Sequence, residues 1–346
     1  MEGAIFTGTH GRNHIQGIAV DEKKGFIYYS FTTQLVKATL DGRVIGSVTG
    51  LTGHLGCIDF CEADGKVYGS LEYKNDSIGK SINRTLGIEK EYEDAFYMTI
   101  FDVDKIDRPD MDAEKDGVMT AVYLKTVVDD FNGTGKNGEA HRYGCSGIDG
   151  TTIGPLPGSN DGKEYLFVCY GVYGDLNRED NDYQVMLCYD IADWGRFAKP
   201  LSQEAMHRSG PAEPTHKFFV YTGNTVWGVQ NLEYDRFTDS FFMAVYAGTK
   251  PEFPNYDLFA VDASVPPKKE MLRGLEEEGL CLTLKKVGKP VHPEVFGWYF
   301  PLGSTGLYAY GDGRYLICQN FKAKTGQCGI LLPFVYDEKA GFLLDE

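Results

Sequence analysis

Short apolar runs alternate with polar turns along the whole chain, and the runs come in pairs. An opening segment of one shape recurs five times: "HIQGIAVD" from position 14, "HLGCIDF" from 54, "GCSGIDG" from 144, "GVQNLEY" from 228 and "GSTGLYA" from 303. A turn rich in Gly, Asp and Asn follows, such as "DEKKG", "EADGK" or "YGDGR", and then a more aromatic run: "GFIYYSF", "KVYGSLEY", "EYLFVCYGVY", "SFFMAVYAG" or "RYLICQNF". Two β-rich runs about a polar, glycine-containing turn form a hairpin. Recurrence of the same hairpin marks a repeat architecture.

Third and fourth strands follow in every unit: "QLVKATL" and "VIGSV", "FYMTIFDV" and "MTAVYLK", "YQVMLCYD" with an ill-defined fourth, "DLFAVDA" and "CLTLKKV", "GILLPFVYD" and "GFLLDE". Five units of four antiparallel strands predict an all-β, five-bladed β-propeller in a single domain spanning 1–346, with blades near 13–49, 54–128, 142–205, 227–288 and 299–346. The alternative is a six-bladed propeller with one blade inside an insert. The inserts are 74–95, 105–117, 129–142, 202–226 and 264–279.

Composition agrees with strands and tight turns: 346 residues carry 42 Gly, 21 Phe and 22 Tyr. A net charge of -16 with no basic run argues against a nucleic-acid partner, whose phosphates need clustered Lys and Arg. No apolar run is long enough to span a membrane, so membrane insertion is not expected. The N-terminal segment lacks the features of a leader, which gives the expectation of a cytoplasmic protein, or a secreted one if a leader has been removed. No feature specifies an oligomeric state. The eight cysteines sit mostly inside apolar runs and read as buried free thiols; Cys57 and Cys61 near His54 lack the second ligand pair of a zinc site. The acidic stretch 102–117 lacks EF-hand spacing and reads as a solvated turn.

The propeller frame gives the histidines a meaning. The loop entering the first strand of a blade shares a rim with the loop between its second and third strands. All seven His (10, 14, 54, 141, 207, 216 and 292) fall, in this strand assignment, on that rim. His14 and His54 occupy one column of the repeat and are expected to project toward a common point over the channel. In the third unit Tyr143 adjoins that column, with His141 and Arg142 just ahead of it. Gly144, Gly228 and Gly303 take the same column elsewhere and leave room for a ligand. The second strands end on the same rim and bring Glu72, Tyr73, Tyr170, Tyr173, Tyr246, Gln319 and Asn320. Aromatic faces beside carboxylates, amides and imidazoles are what a carbohydrate ligand requires.

The segments "TGHLGCIDF", "YGDLNREDNDYQVMLCYD" and "FPLGSTGLYAYGDG" resemble the five-bladed propeller domain of gut-bacterial, metal-dependent N-acetylgalactosamine deacetylases that act on host glycans. The likeness covers nearly the whole chain. It implies hydrolysis of N-acetylated amino sugars with a divalent metal cation as cofactor, His14, Gln16 and His54 as metal ligands, and His54 or Asp59 as base. Tyr143 or Arg142 would stabilise the oxyanion. The family pattern places Asp after His-Leu-Gly; here that position is Cys57, with Asp59 two residues on. Two other readings suit the same residues: a polysaccharide lyase or glycosidase, and a propeller that binds glycan or protein without chemistry.

Overall fold

A computed structural model describes residues 3–345, so the outermost domain boundaries, 1 and 346, lie outside the described residues. The strands form five sheets, the blades of a five-bladed β-propeller. Blade 1 is Ile15–Asp21, Phe26–Phe31, Gln34–Thr39 and Val44–Thr49, with Met111–Asp112 added in parallel at its outer edge. Blade 2 is His54–Cys61, Lys66–Tyr73, Ala95–Phe101 and Met119–Tyr123. Both blades follow the hairpin order read from the repeat.

Blade 3 is Cys145–Pro155, Glu164–Val172, Tyr183–Tyr189 and His216–Tyr221. Its fourth strand thus falls inside the segment read above as the insert 202–226. The 26 residues between its third and fourth strands erase any hairpin signal in the sequence. The segment 281–287, expected as the fourth strand of blade 4, bonds to that blade only at isolated positions such as Leu284 with Val261, while the strand just ahead of it, Glu278–Cys281, pairs in parallel with Phe218 and Phe219 of blade 3. Blade 4 therefore has three regular strands, Thr225–Asp235, Ser240–Ala247 and Leu258–Asp262. Its outer edge is covered by single bonds such as Lys285 N to Ala260 O, 2.8 Å.

Blade 5 closes the ring. Its strands are Leu307–Ala309, Arg314–Ala323 and Gly326–Asp337, and the last pairs at one end with Gly341–Leu344 and at the other with Ile5–His10. The N-terminal strand so completes the C-terminal blade, a long-range pairing that the local pattern of 1–13 does not announce.

Five apolar clusters fill the five gaps between neighbouring blades. Because each sheet is packed on both faces, a run such as Leu166–Tyr170 is buried throughout instead of alternating. The innermost strands are stitched across the axis. Asn231 Nδ2 donates to Gln16 O at 2.8 Å and to Ser304 O at 3.0 Å, and Cys57 Sγ donates to Asn231 Oδ1 at 3.4 Å. Blades 1, 2, 4 and 5 meet at one asparagine, and the channel is divided there into an upper and a lower mouth.

Candidate active site

The upper mouth holds a cavity of about 300 Å³, lined by His14, Gln16, His54, Glu72, Lys74, Asp149, Trp227 and Tyr246 among others. Irregular pairing in the innermost strands puts these groups there. In blade 2 the ladder slips once, between Leu55 and Ile58, where the strand advances three residues against two. In blade 3 it slips twice, between Cys145 and Gly147 and again between Ile148 and Thr151. Each extra residue re-aims the side chains beyond it. Asp59 and Asp149 share a column of the repeat, yet the second slip leaves Asp149 in the upper cavity while Asp59 faces the lower mouth.

Blade 4 carries the largest slip, from Val226 to Val229 against a single step of its partner. The extra residues Trp227 and Gly228 both adopt positive φ, 66° and 69°. Such a φ is costly for tryptophan and persists only where the surroundings impose it. Trp227 meets Tyr173 edge-on with ring centroids 5.7 Å apart, and the half-buried indole lines the cavity.

The polar centre is a buried charge cluster. Glu72 Oε1 lies 2.6 Å from Lys74 Nζ and 3.4 Å from His54 Nδ1, and Glu72 Oε2 accepts from Ile148 N at 3.0 Å. Lys74 Nζ also donates to Ser146 O at 2.5 Å. Two glycines admit the carboxylates: a Cβ on Gly56 would overlap Asp149 Oδ1, and one on Gly147 would overlap Glu72 Oε2. His54 is 7% exposed and Asp149 8%. Asp149 Oδ1 has no hydrogen-bond partner, although buried polar atoms normally have one, and His54 Nδ1 has the 3.4 Å approach of the Glu72 carboxylate.

This environment separates the two carboxyls. Burial pushes Asp149 up to about 7, with His54 and Lys74 restraining the rise and Glu72 adding to it. Glu72 is desolvated too, but Lys74 and His54 together outweigh that and hold it below the usual glutamate value. For His54, burial alone would depress the imidazole; Asp149 and Glu72 reverse this and leave it raised. His14 is lowered, by burial first and further by the positive potential of His54.

Of the residues expected at the site, the structure brings His14, Gln16, His54, Glu72 and Tyr246 into one cavity. The others lie elsewhere. Asp59 is bound by Ile153 N at 2.7 Å, Phe60 N at 2.7 Å and Thr152 Oγ1 at 3.0 Å, in the lower mouth. Tyr143 and Arg142 both turn outward to Glu277, each at 2.5 Å, and Lys217 Nζ sits over the Tyr143 ring at 4.4 Å. Tyr73 alternates with Glu72 along the strand and so points into the core, donating to Gln203 Oε1 at 2.9 Å. Tyr170 is fully buried and donates to Asp130 at 2.5 Å.

Tyr173 donates to Asp76 at 3.2 Å, behind the wall of the cavity, and the His141 ring packs between Phe131 and Tyr173. Gln319 and Asn320 are exposed on blade 5 and do not line the cavity. The histidines are not all on one rim: His216 pairs with Cys188 at the far end of the third strand of blade 3, and so lies on the opposite rim. Lys74, Asp149, Trp227 and Gln230 were missed by sequence reasoning. Asp149 had one signal, its alignment with Asp59 and Glu233 in the sixth column of the repeat.

The donor set does not fit a metal ion. Among the described residues no three His, Cys, Asp or Glu side chains are grouped to hold one. His14 Nδ1 is engaged by Ile15 O at 2.7 Å, and the Lys74 ammonium already occupies the cation position beside Glu72.

No family model matches the chain, and no curated protein does. Among solved structures it is similar to a GH43 β-1,3-galactosidase solved with galactodeoxynojirimycin, at 11% identity over 98% of both chains with a TM-score of 0.43. It is also similar to a family AA12 carbohydrate-active enzyme of Trichoderma reesei, at 14% identity over 91% of this chain and 80% of that one, TM-score 0.35. A third likeness is to the PQQ domain of pyranose dehydrogenase from Coprinopsis cinerea, at 10% identity over 91% and 81%, TM-score 0.36. At these values neither the fold nor the chemistry of this chain rests on the likeness. Among the described residues no helix is long and apolar enough to cross a membrane.

Proposed function

We propose that the protein is a carbohydrate-active hydrolase in which Asp149 and His54 act as an acid–base pair on a sugar held in the upper cavity. The observation that supports this is the meeting of Asp149, whose buried Oδ1 has no hydrogen-bond partner, with His54, held by Glu72 at 3.4 Å, in one cavity with an indole and three amide side chains. The indole offers a platform for the C–H face of a sugar ring, and the amides suit its hydroxyls. A buried carboxyl raised to about 7 keeps a proton to give near neutral pH, as a general acid must. With its proton on Asp149, the pair presents a donor to a leaving oxygen and a neutral imidazole to a water at once. Glu72 is saturated by Lys74, Ile148 N and the neighbouring imidazole, and so positions His54.

Deacetylation of N-acetylated amino sugars, which the sequence resemblance implies, would use the same cavity, but its metal lacks a fitting donor set here. Product analysis on glycans ending in galactose, N-acetylgalactosamine or glucuronate separates the chemistries. The expected result is new reducing ends that disappear in Asp149→Asn. Free acetate would establish deacetylation instead, an ultraviolet-absorbing unsaturated product would establish a lyase, and no turnover of any glycan would leave a binding propeller.

A further inference from the structure

The wall of the cavity that no chemistry has yet used is the helix α1 (Ser77–Leu86), inserted between the second and third strands of blade 2. Asp76 caps it, its Oδ1 accepting from Ile78 N and Gly79 N at 3.0 Å each, and Gly87 ends it with φ 67°. The same Asp76 reaches the site: its Oδ2 accepts from Tyr173 at 3.2 Å and lies 3.5 Å from Lys74 Nζ. A Cβ on Gly79 would overlap Lys74 O, so the helix is seated hard against the end of the strand that carries Glu72 and Lys74. Its position is thereby tied to the charge cluster.

Four residues of α1 line the cavity, in two rows one turn apart: Ser77 with Ser81, and Ile78 with Ile82. Ile82 is buried, whereas both serines are exposed at the mouth. Asn13 and His14 line the same cavity from blade 1, and the Cys57–Asn231 contact closes the channel below. The cavity, open at its mouth and closed below, has a volume of about 300 Å³, at the small end for ligand pockets, about 300–1,000 Å³, and has room for one sugar ring.

We propose that α1 is the specificity element of this site: it restricts the cavity to a single terminal sugar, and the Ser77 and Ser81 hydroxyls at its mouth hold the next unit outward. This rests on the proposed carbohydrate reading. The site then trims chains from one end and makes no internal cuts.

Two measurements test it. With oligosaccharides labelled at the reducing end, the wild-type protein is expected to release monosaccharide only, with labelled products shortening one unit at a time. In Ser77→Ala/Ser81→Ala, KM for a disaccharide is expected to rise about 3- to 10-fold, the scale of lost neutral hydrogen bonds, with kcat little changed, and KM for an aryl monoglycoside, whose aglycone offers the serines no hydroxyl, is expected to rise less. Internal cleavage, or equal disaccharide KM in the variant, overturns the role of α1 and leaves the hydrolase reading standing. If no glycoside is cleaved, the hydrolase reading falls. Calorimetric titration of the same disaccharide into both proteins then decides α1 by itself: weaker binding to the variant supports the proposal, and equal or absent binding overturns it.

Discussion

Cys57 Sγ donates a hydrogen bond to Asn231 Oδ1 across 3.4 Å, joining blade 2 to blade 4 over the propeller axis. These blades are not neighbours, so the contact fills the channel. The same sulfur lies 3.4 Å from Thr151 O, and burial pushes the thiol up to about 12, so it stays a donor between two acceptors. Cys57 stands where the resembled deacetylases carry Asp, but it packs beneath the cavity and does not line it.

Cys57→Asp therefore sets a carboxylate against Asn231 Oδ1 and Thr151 O. It is expected to destabilise the fold by about 3–5 kcal/mol, the cost of an uncompensated buried charge, with no gain in activity. Cys57→Ser keeps a donor and is expected to cost less. Denaturant unfolding of the three proteins measures this; a stable, more active Cys57→Asp would assign the position a catalytic carboxylate.

Asp149→Asn keeps the shape of the side chain and removes the transferable proton. Activity is expected to fall about 10²- to 10⁴-fold, with unfolding equal to or better than wild type, because a strained buried acid is replaced by a neutral amide. A variant with near-normal kcat would move the chemistry off Asp149.

The same carboxyl sets a pH dependence. Its folded value of about 7 stands above the unfolded value of about 4, so between them the folded state binds the extra proton and stability falls as pH rises. The raised His54 works in the same direction: its contribution is present at low pH and is lost as pH rises through its folded value. Glu72, held low, opposes them and loses its contribution only as pH falls through its own folded value. Thermal unfolding of wild type relative to Asp149→Asn is expected to decline from about pH 4 to 7 and then level off. A difference independent of pH would show that Asp149 titrates normally.

Gly56 and Gly147 are expected to tolerate no side chain. In Gly56→Ala the added methyl displaces Asp149, and in Gly147→Ala it displaces Glu72 at a backbone φ of 127° that alanine resists. Both are expected to lose at least tenfold in kcat/KM, and Gly147→Ala to lose stability as well. Gly65 is the control: it meets nothing within 4 Å, and its alanine variant touches stability alone through its φ of 71°.

Prolonged chelation is expected to leave activity and melting temperature unchanged, since no group of donors in the upper cavity is arranged for a cation. Activity lost to a chelator and restored by one divalent metal would return the metal-dependent deacetylase to first place.

The sequence by itself determined the five hairpins, the blade number and the shared column of His14 and His54, because strand, turn and next strand are local and each repeat states them again. It also announced Glu72 and Tyr246, which end second strands on the upper rim. The tertiary structure decided the rest. Whether Asp59 or Asp149 faces the upper cavity turns on one extra slip in the Cys145–Pro155 ladder, and Trp227 enters through the two-residue bulge beside it in blade 4. Tyr143 and Arg142 are drawn away by Glu277, more than 130 residues along the chain. The strand Ile5–His10 finds its partner only when the ring closes on blade 5. Slips and long-range pairings depend on what packs opposite, which no local pattern of apolar and polar residues contains.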